Sequence, residues 1–121
     1  MESVRSMGVA VAPGQCVRIV PARVRPGMVD DYLAAHRVHH TPAVRRQPGF
    51  VAKLILQAED DPERLVMVLI WETSDQALAW VRLPEHDAAG EPFRDLVVRG
   101  DASAAAARGG YRVVDLAIGP G

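Results

Sequence analysis

Cysteine is nearly missing from this chain of 121 residues, with Cys16 standing alone. No internal disulfide is expected, and no Cys/His spacing typical of a zinc finger occurs. A reducing cytoplasm is the default expectation. Aromatic side chains are scarce, with two each of Trp, Tyr and Phe. Neither sign of charge is in excess: 14 Lys and Arg face 15 Asp and Glu, for a net charge of −1. Nucleic-acid binders usually carry a strong basic excess, so no nucleic-acid partner is expected. No apolar stretch suits a secretory leader or a membrane span, so no membrane partner is expected either. Asparagine is absent, and thirteen of the 14 basic residues are arginine. What is present is ordinary for a globular protein, 49% hydrophobic and 24% charged. A chain this size fits one domain that buries roughly two-thirds of its unfolded surface.

Residues 1–15 hold small side chains and the turn pair Pro13-Gly14, and read as a loose arm before a single domain over 16–121. Val17–Val24 is β-branched and partly alternating, a first strand that Pro21 demotes to an edge or a bulge. After Pro26-Gly27, helical spacing of Val29, Tyr32, Leu33 and His36 predicts a helix from Met28 to about His40, with Asp30 and Asp31 near its positive end. Thr41-Pro42 looks like a cap and first-turn proline for a second short helix through Arg46. Pro48-Gly49 signals a turn, Val51–Gln57 a strand, and Ala58–Arg64 an acidic turn. Leu65–Trp71 is the most apolar run. Thr73 or Ser74 caps a helix from Asp75 to about Leu83, stopped by Pro84. One or two short helices are expected within 84–108, and a last strand at Tyr111–Ile118. This order predicts an α+β fold, the ferredoxin-like split βαβ with an antiparallel sheet.

Residues 65–71 do not alternate apolar with polar, as a sheet with one wet face would. Met67, Leu69 and Trp71 point one way, and Val66, Val68 and Ile70 the other. If both faces are dry, a second copy of the sheet is the simplest cover, which predicts a homodimer. The alternative cover is the N-terminal arm together with segment 84–108.

Arg25-Pro26-Gly27 after the first strand, Gln47-Pro48-Gly49-Phe50 before the second, Ile70-Trp71-Glu72-Thr73-Ser74 ending the third, and Leu83-Pro84-Glu85-His86 stand in an informative order. Together they resemble the antibiotic-biosynthesis monooxygenase family of dimeric α+β barrels, over roughly residues 17–118. The resemblance implies a ferredoxin-like fold whose sheets pair face to face in a homodimer. It also implies small oxygenases that oxidise quinols or aromatic polyketides without metal, flavin or haem, and relatives that degrade haem. The chain departs from the family in four places, one being the missing first-strand asparagine of the haem-degrading pattern. Met67 stands where polyketide-oxidising members carry an asparagine, Trp80 where quinol-oxidising relatives often carry a histidine, and His86 is displaced by one residue from the second family histidine.

His36, His39 and His40 lie within one and a half helical turns, with His36 beside both others. One imidazole is a candidate general base near neutral pH. His36 with His40 would make half a metal site, but no further ligand stands at a suitable spacing, so no metal is expected. His39 and His40 point about 100° apart on a helix, so at least one of the three faces solvent. Trp71 and Trp80 are candidates to sandwich a planar substrate, with Trp71 packed at the sheet–helix junction as the structural alternative. Tyr32, Met67 and Leu69 are candidate wall residues. Arg94, and Arg18 or Arg23, are candidates to steady a developing oxygen anion. Cys16 has no activating neighbour in sequence.

The resulting expectation is a cofactor-independent monooxygenase acting on an aromatic polyketide, anthrone or quinol with dioxygen, in natural-product biosynthesis. Trp71 and Trp80 stack the substrate, His36 or His40 accepts a proton, and His86 or Arg94 lies near the substrate oxygen. Two alternatives remain: a cyclase, isomerase or binding protein for an aromatic intermediate, and a haem-degrading monooxygenase with His86 as the axial ligand.

Overall fold

The computed structural model describes residues 11–98, 110–117 and 119. Strand β1 spans Cys16–Arg23 and leads into a helical rod made of α1 (Val29–Ala35), a π-helical turn (His36–His40) and α2 (Thr41–Arg45). Strands β2 (Phe50–Ala58) and β3 (Asp61–Trp71) follow, then α3 (Ser74–Val81), α4 (Pro84–Gly90), a 3₁₀ turn (Glu91–Phe93) and β4 (Tyr111–Arg112). The sheet order is β2-β3-β1-β4, and β1 and β2 both pair antiparallel with β3. This is the ferredoxin-like split βαβ.

Pro21 sits in β1 opposite Val66. Since β4 pairs only with Cys16 and Val17, the outer side of β1 at Pro21 has no neighbouring strand among the described residues. A residue without an N–H is tolerated at such an edge. The acidic turn is tighter than its composition suggests. Asp61 and Pro62 already belong to β3, and only Glu59 and Asp60 make the turn. Arg23 reaches across to Asp61 at 2.7 Å, which holds that carboxyl below its ordinary range.

The rod departs from the expected pair of helices. Thr41 does not cap a new helix; it continues the rod with helical backbone angles, and its N–H bonds the His36 carbonyl five residues back. Pro42 supplies the reason, because it has no N–H for the carbonyl of Val38 and its ring crowds that carbonyl. The wider π turn absorbs the interruption without ending the rod. Thr73 does act as an N-cap, its hydroxyl accepting the Gln76 N–H at 3.2 Å. Pro84 ends one helix and opens the next.

The last strand is shorter than expected: only Tyr111 and Arg112 pair with β1, and Val113–Ala117 runs on without regular structure. Gly14 and Val113 share a backbone hydrogen bond, as do Val113 and Gln15, both at 2.9 Å, so this end of the N-terminal segment is held. Residues 1–10, the alanine run 104–107 and Ile118 lie outside the described residues.

On the helix side of the sheet the core falls into two clusters. Trp71, Leu69, Cys16, Val44, Ala77 and Trp80 are among the residues forming one. Val24, Tyr32 and Leu65 form the other, with Phe93 and Val97 against it. Leu65, Leu69 and Trp71 are at most 3% exposed, as the strand alternation requires. On the opposite face Val66 and Val68 are half-buried and Ile70 is buried. Their register partners Leu54 and Leu56 on β2 are 44% and 49% exposed.

Candidate active site

A cavity of about 260 Å³ borders both core clusters, walled by Tyr32, His36, His40, Met67, His86 and Phe93 among others. A narrower one of about 40 Å³ shares His40, Met67 and His86 with it and runs toward Leu69, Trp71, Trp80 and Arg18. The rod, the β1–β3 sheet and the start of α4 supply these walls. The π turn places His36 and His40 on one side of the rod, ring centroids 5.4 Å apart and both buried, while His39 is exposed. Rings continue along the wall: Tyr32 lies 4.7 Å and Phe93 4.5 Å from His36, Trp80 6.1 Å from His40, and His86 5.4 Å from Trp80.

The electrostatics of this wall are set by burial. His36 is 4% exposed, and neither of its ring nitrogens has a hydrogen-bond partner among the described residues. Burial, then the charge of Lys53, then His40 push its pKa down to about 3. His40 is pushed down to about 3 by burial, Lys53 and His86. Both rings are therefore neutral at neutral pH. Lys53 Nζ lies 2.8 Å from His40 Nδ1 and donates to Thr41 Oγ1, also at 2.8 Å. Burial lowers its pKa to about 8, and burial raises that of the Tyr32 hydroxyl to about 12.

Most residues singled out from sequence thus converge. Tyr32, His36, His40, His86 and Met67 border the larger cavity, and Leu69, Trp71 and Trp80 the smaller. Trp71 is fully buried in the core against Phe50, with its indole N–H unpartnered among the described residues. It therefore forms part of the floor and is no open stacking plate. Arg94 does not join the site. Its guanidinium is exposed and bonds Glu91 at 2.7 Å within the turn after α4, where the i,i+3 spacing places the carboxylate beside it. Of the first-strand arginines, Arg23 is bonded to Asp61 and Arg18 borders the smaller cavity.

The profile of the antibiotic biosynthesis monooxygenase family matches residues 17–92. The chain belongs to this family. No curated protein matches it. Among solved structures, a candidate antibiotic biosynthesis monooxygenase from Nitrosomonas europaea is 26% identical, with a TM-score of 0.62 over 74% of this chain and 85% of that one. A candidate family member from Bordetella bronchiseptica is 20% identical, with a TM-score of 0.64 over 70% of this chain and 87% of its own. SnoaB from Streptomyces nogalater, a cofactor-independent oxygenase, is 20% identical, with a TM-score of 0.63 over 72% of this chain and 86% of its own.

Sequence reasoning misses two residues at the site of this family member. Phe93 is overshadowed by its charged neighbour Arg94, although it is one of only two phenylalanines. Lys53 looks like an ordinary strand residue. Its signal is its rarity, since it is the one lysine among 14 basic residues. The β2 alternation also points to it, because apolar Leu54 and Leu56 take the open face and so turn Lys53 toward the rod.

Proposed function

We propose that this member of the family is a cofactor-independent monooxygenase, and that its cavity binds a flat aromatic substrate of the quinol or anthrone type. The observation that carries this reading is His36, a buried imidazole with two unpartnered nitrogens set in an apolar, ring-lined cavity. A buried polar group without a partner costs about 1–3 kcal/mol. A small turn of the ring that brings one nitrogen to a ligand oxygen in the cavity would relieve the cost. Apolar walls with a few convergent polar groups suit a planar, mostly apolar molecule. Once deprotonated, an electron-rich phenol or enol can itself pass an electron to dioxygen, so the protein need only bind it, favour its anion and exclude water. Met67, Leu69 and Trp80 supply the apolar walls, and His36, His40 and His86 face the oxygen-bearing edge. Family membership and the likeness of fold to a cofactor-independent oxygenase support the same reading.

Purified protein mixed with an anthrone or a quinol should consume oxygen. Replacing His36 and His40 together by alanine should slow that uptake by about a hundredfold or more. No uptake with either substrate class refutes the oxygenase, and unchanged turnover in the double variant refutes the histidine roles.

We also propose that two copies pair across the open sheet face. Ile19, Leu54 and Val68 lie in register there, as do Pro21, Leu56 and Val66. An exposed apolar patch of this kind marks an interaction surface.

A further inference from the structure

We propose that Lys53, acting through the ring of His40, takes up the proton of a hydroxyl group bound in the cavity. This rests on the reading that the cavity holds an ionisable phenol or enol. Lys53 borders neither cavity, whereas His40 borders both, so the lysine reaches a ligand only by way of the imidazole. The 2.8 Å contact occupies Nδ1 of His40, so Nε2 is the ring nitrogen left to meet a ligand.

The donors and acceptors of the two side chains then fix what the pair can do. An ammonium only donates, so while Lys53 is charged, Nδ1 must be bare and the ring carries its hydrogen on Nε2. When Lys53 is neutral, its lone pair can accept Nδ1–H, and Nε2 becomes an acceptor facing the ligand. A bound hydroxyl then gives its proton to Nε2 as Nδ1 passes its own to Nζ. The O–H electron pair stays on the ligand oxygen, and the imidazole is neutral before and after. The step ends with the oxygen anion held by Nε2–H, an ammonium behind the ring, and Thr41 Oγ1 holding that ammonium.

Neither imidazole can keep such a proton by itself, since burial pushes both down to about 3. Lys53, lowered to about 8 by burial, can keep it near neutrality. The titratable and charged groups around the pair are His36 on the same turn, His86 on α4 and, across the cavities that His40 borders, Tyr32 on α1 and Arg18 on β1, and no carboxylate bonds either member among the described residues. The residue type fits as well. An arginine keeps its proton at every working pH, and this otherwise arginine-only chain places its single lysine here.

Nitrogen NMR of the imidazoles in the ligand-free chain of 121 residues tests this between about pH 6 and pH 10. In the wild type, His40 should be in the Nε2–H form below pH 7. The Nδ1–H form should grow in as the pH passes about 8. Lys53→Arg, whose cation holds its proton, should stay in the Nε2–H form throughout. Lys53→Met should show a mixture that does not change with pH. A wild type without the alkaline change, the same change in Lys53→Met, or a His40 that becomes charged near its ordinary 6.5 overturns the proposal. If Lys53→Met fails to fold, Lys53→Arg decides. The spectra need no substrate, so their failure is distinct from a failure of the oxygenase reading. Where oxygen uptake is found, its kcat should rise with pH toward a plateau above about 8. Lys53→Arg should lower kcat by about a hundredfold with little change in KM.

Discussion

His36 and His40 are imidazoles placed where water does not solvate their charge, and that placement has a signature in acid. In the unfolded chain such a ring takes its proton near 6.5, whereas in the fold both do so only near 3. Between those values the unfolded chain binds more protons, so stability is full above pH 6.5 and falls as the pH drops toward 3. Melting temperature should decline steadily over that window. His36→Phe should flatten the decline and raise the melting temperature at pH 7, because it replaces an unpartnered buried polar ring with an apolar one. It should also weaken binding of an aromatic phenol, measured by quenching of tryptophan fluorescence. A melting curve for His36→Phe as acid-sensitive as that of the wild type would refute the assignment of His36 as a buried neutral ring. The candidacy of His36 and His40 was legible from their spacing. Their adjacency was legible too, but which of the three histidines faces the cavity was not, because that follows from the π turn by which the rod accommodates Pro42.

At the scale of elements, the turn signals held best. Gly49, between α2 and β2, has φ +82°, and its carbonyl accepts the Glu72 N–H at 2.8 Å beside Trp71. A Cβ there would also run into the Gln76 side chain. Gly49→Ala should therefore cost about 1–2 kcal/mol from the backbone alone, and more if Gln76 cannot swing aside. Gly27, at φ +79° with open space where a methyl group would stand, should cost the backbone part only. Chemical denaturation of the two variants checks the order, and an equal loss in both would show that Gln76 yields freely. Strand β3 and a cap at Thr73 or Ser74 were readable because periodicity and capping are local rules. The two-residue β4 was not, because the apolar run after Tyr111 carries the pattern of a strand without the neighbour that would make it one.

For the molecule as a whole, the open sheet face is the surface on which the proposed pairing rests. Leu54, Leu56, Val66 and Val68 form an apolar surface that one chain leaves partly exposed among its described residues. If two copies meet there, Val68→Asp and Leu54→Asp should each convert a light-scattering mass of two subunits into one, with the helix-side core intact by circular dichroism. A wild type that scatters as a single subunit at micromolar concentration refutes the pairing. No helix of the described residues is long and apolar enough to cross a membrane.

Element order, the two-sided greasiness of β3, the turn glycines and the histidine-rich rod are properties of near neighbours in the chain, so the amino-acid order alone determined them. The partnership of Lys53 with His40, thirteen positions apart, and the retreat of Trp71 into the floor are different in kind. They depend on which strand turns which face toward the rod and on how far a π turn rotates it. Those are sums over many weak packing contacts that no local pattern encodes, and only the folded chain resolves them.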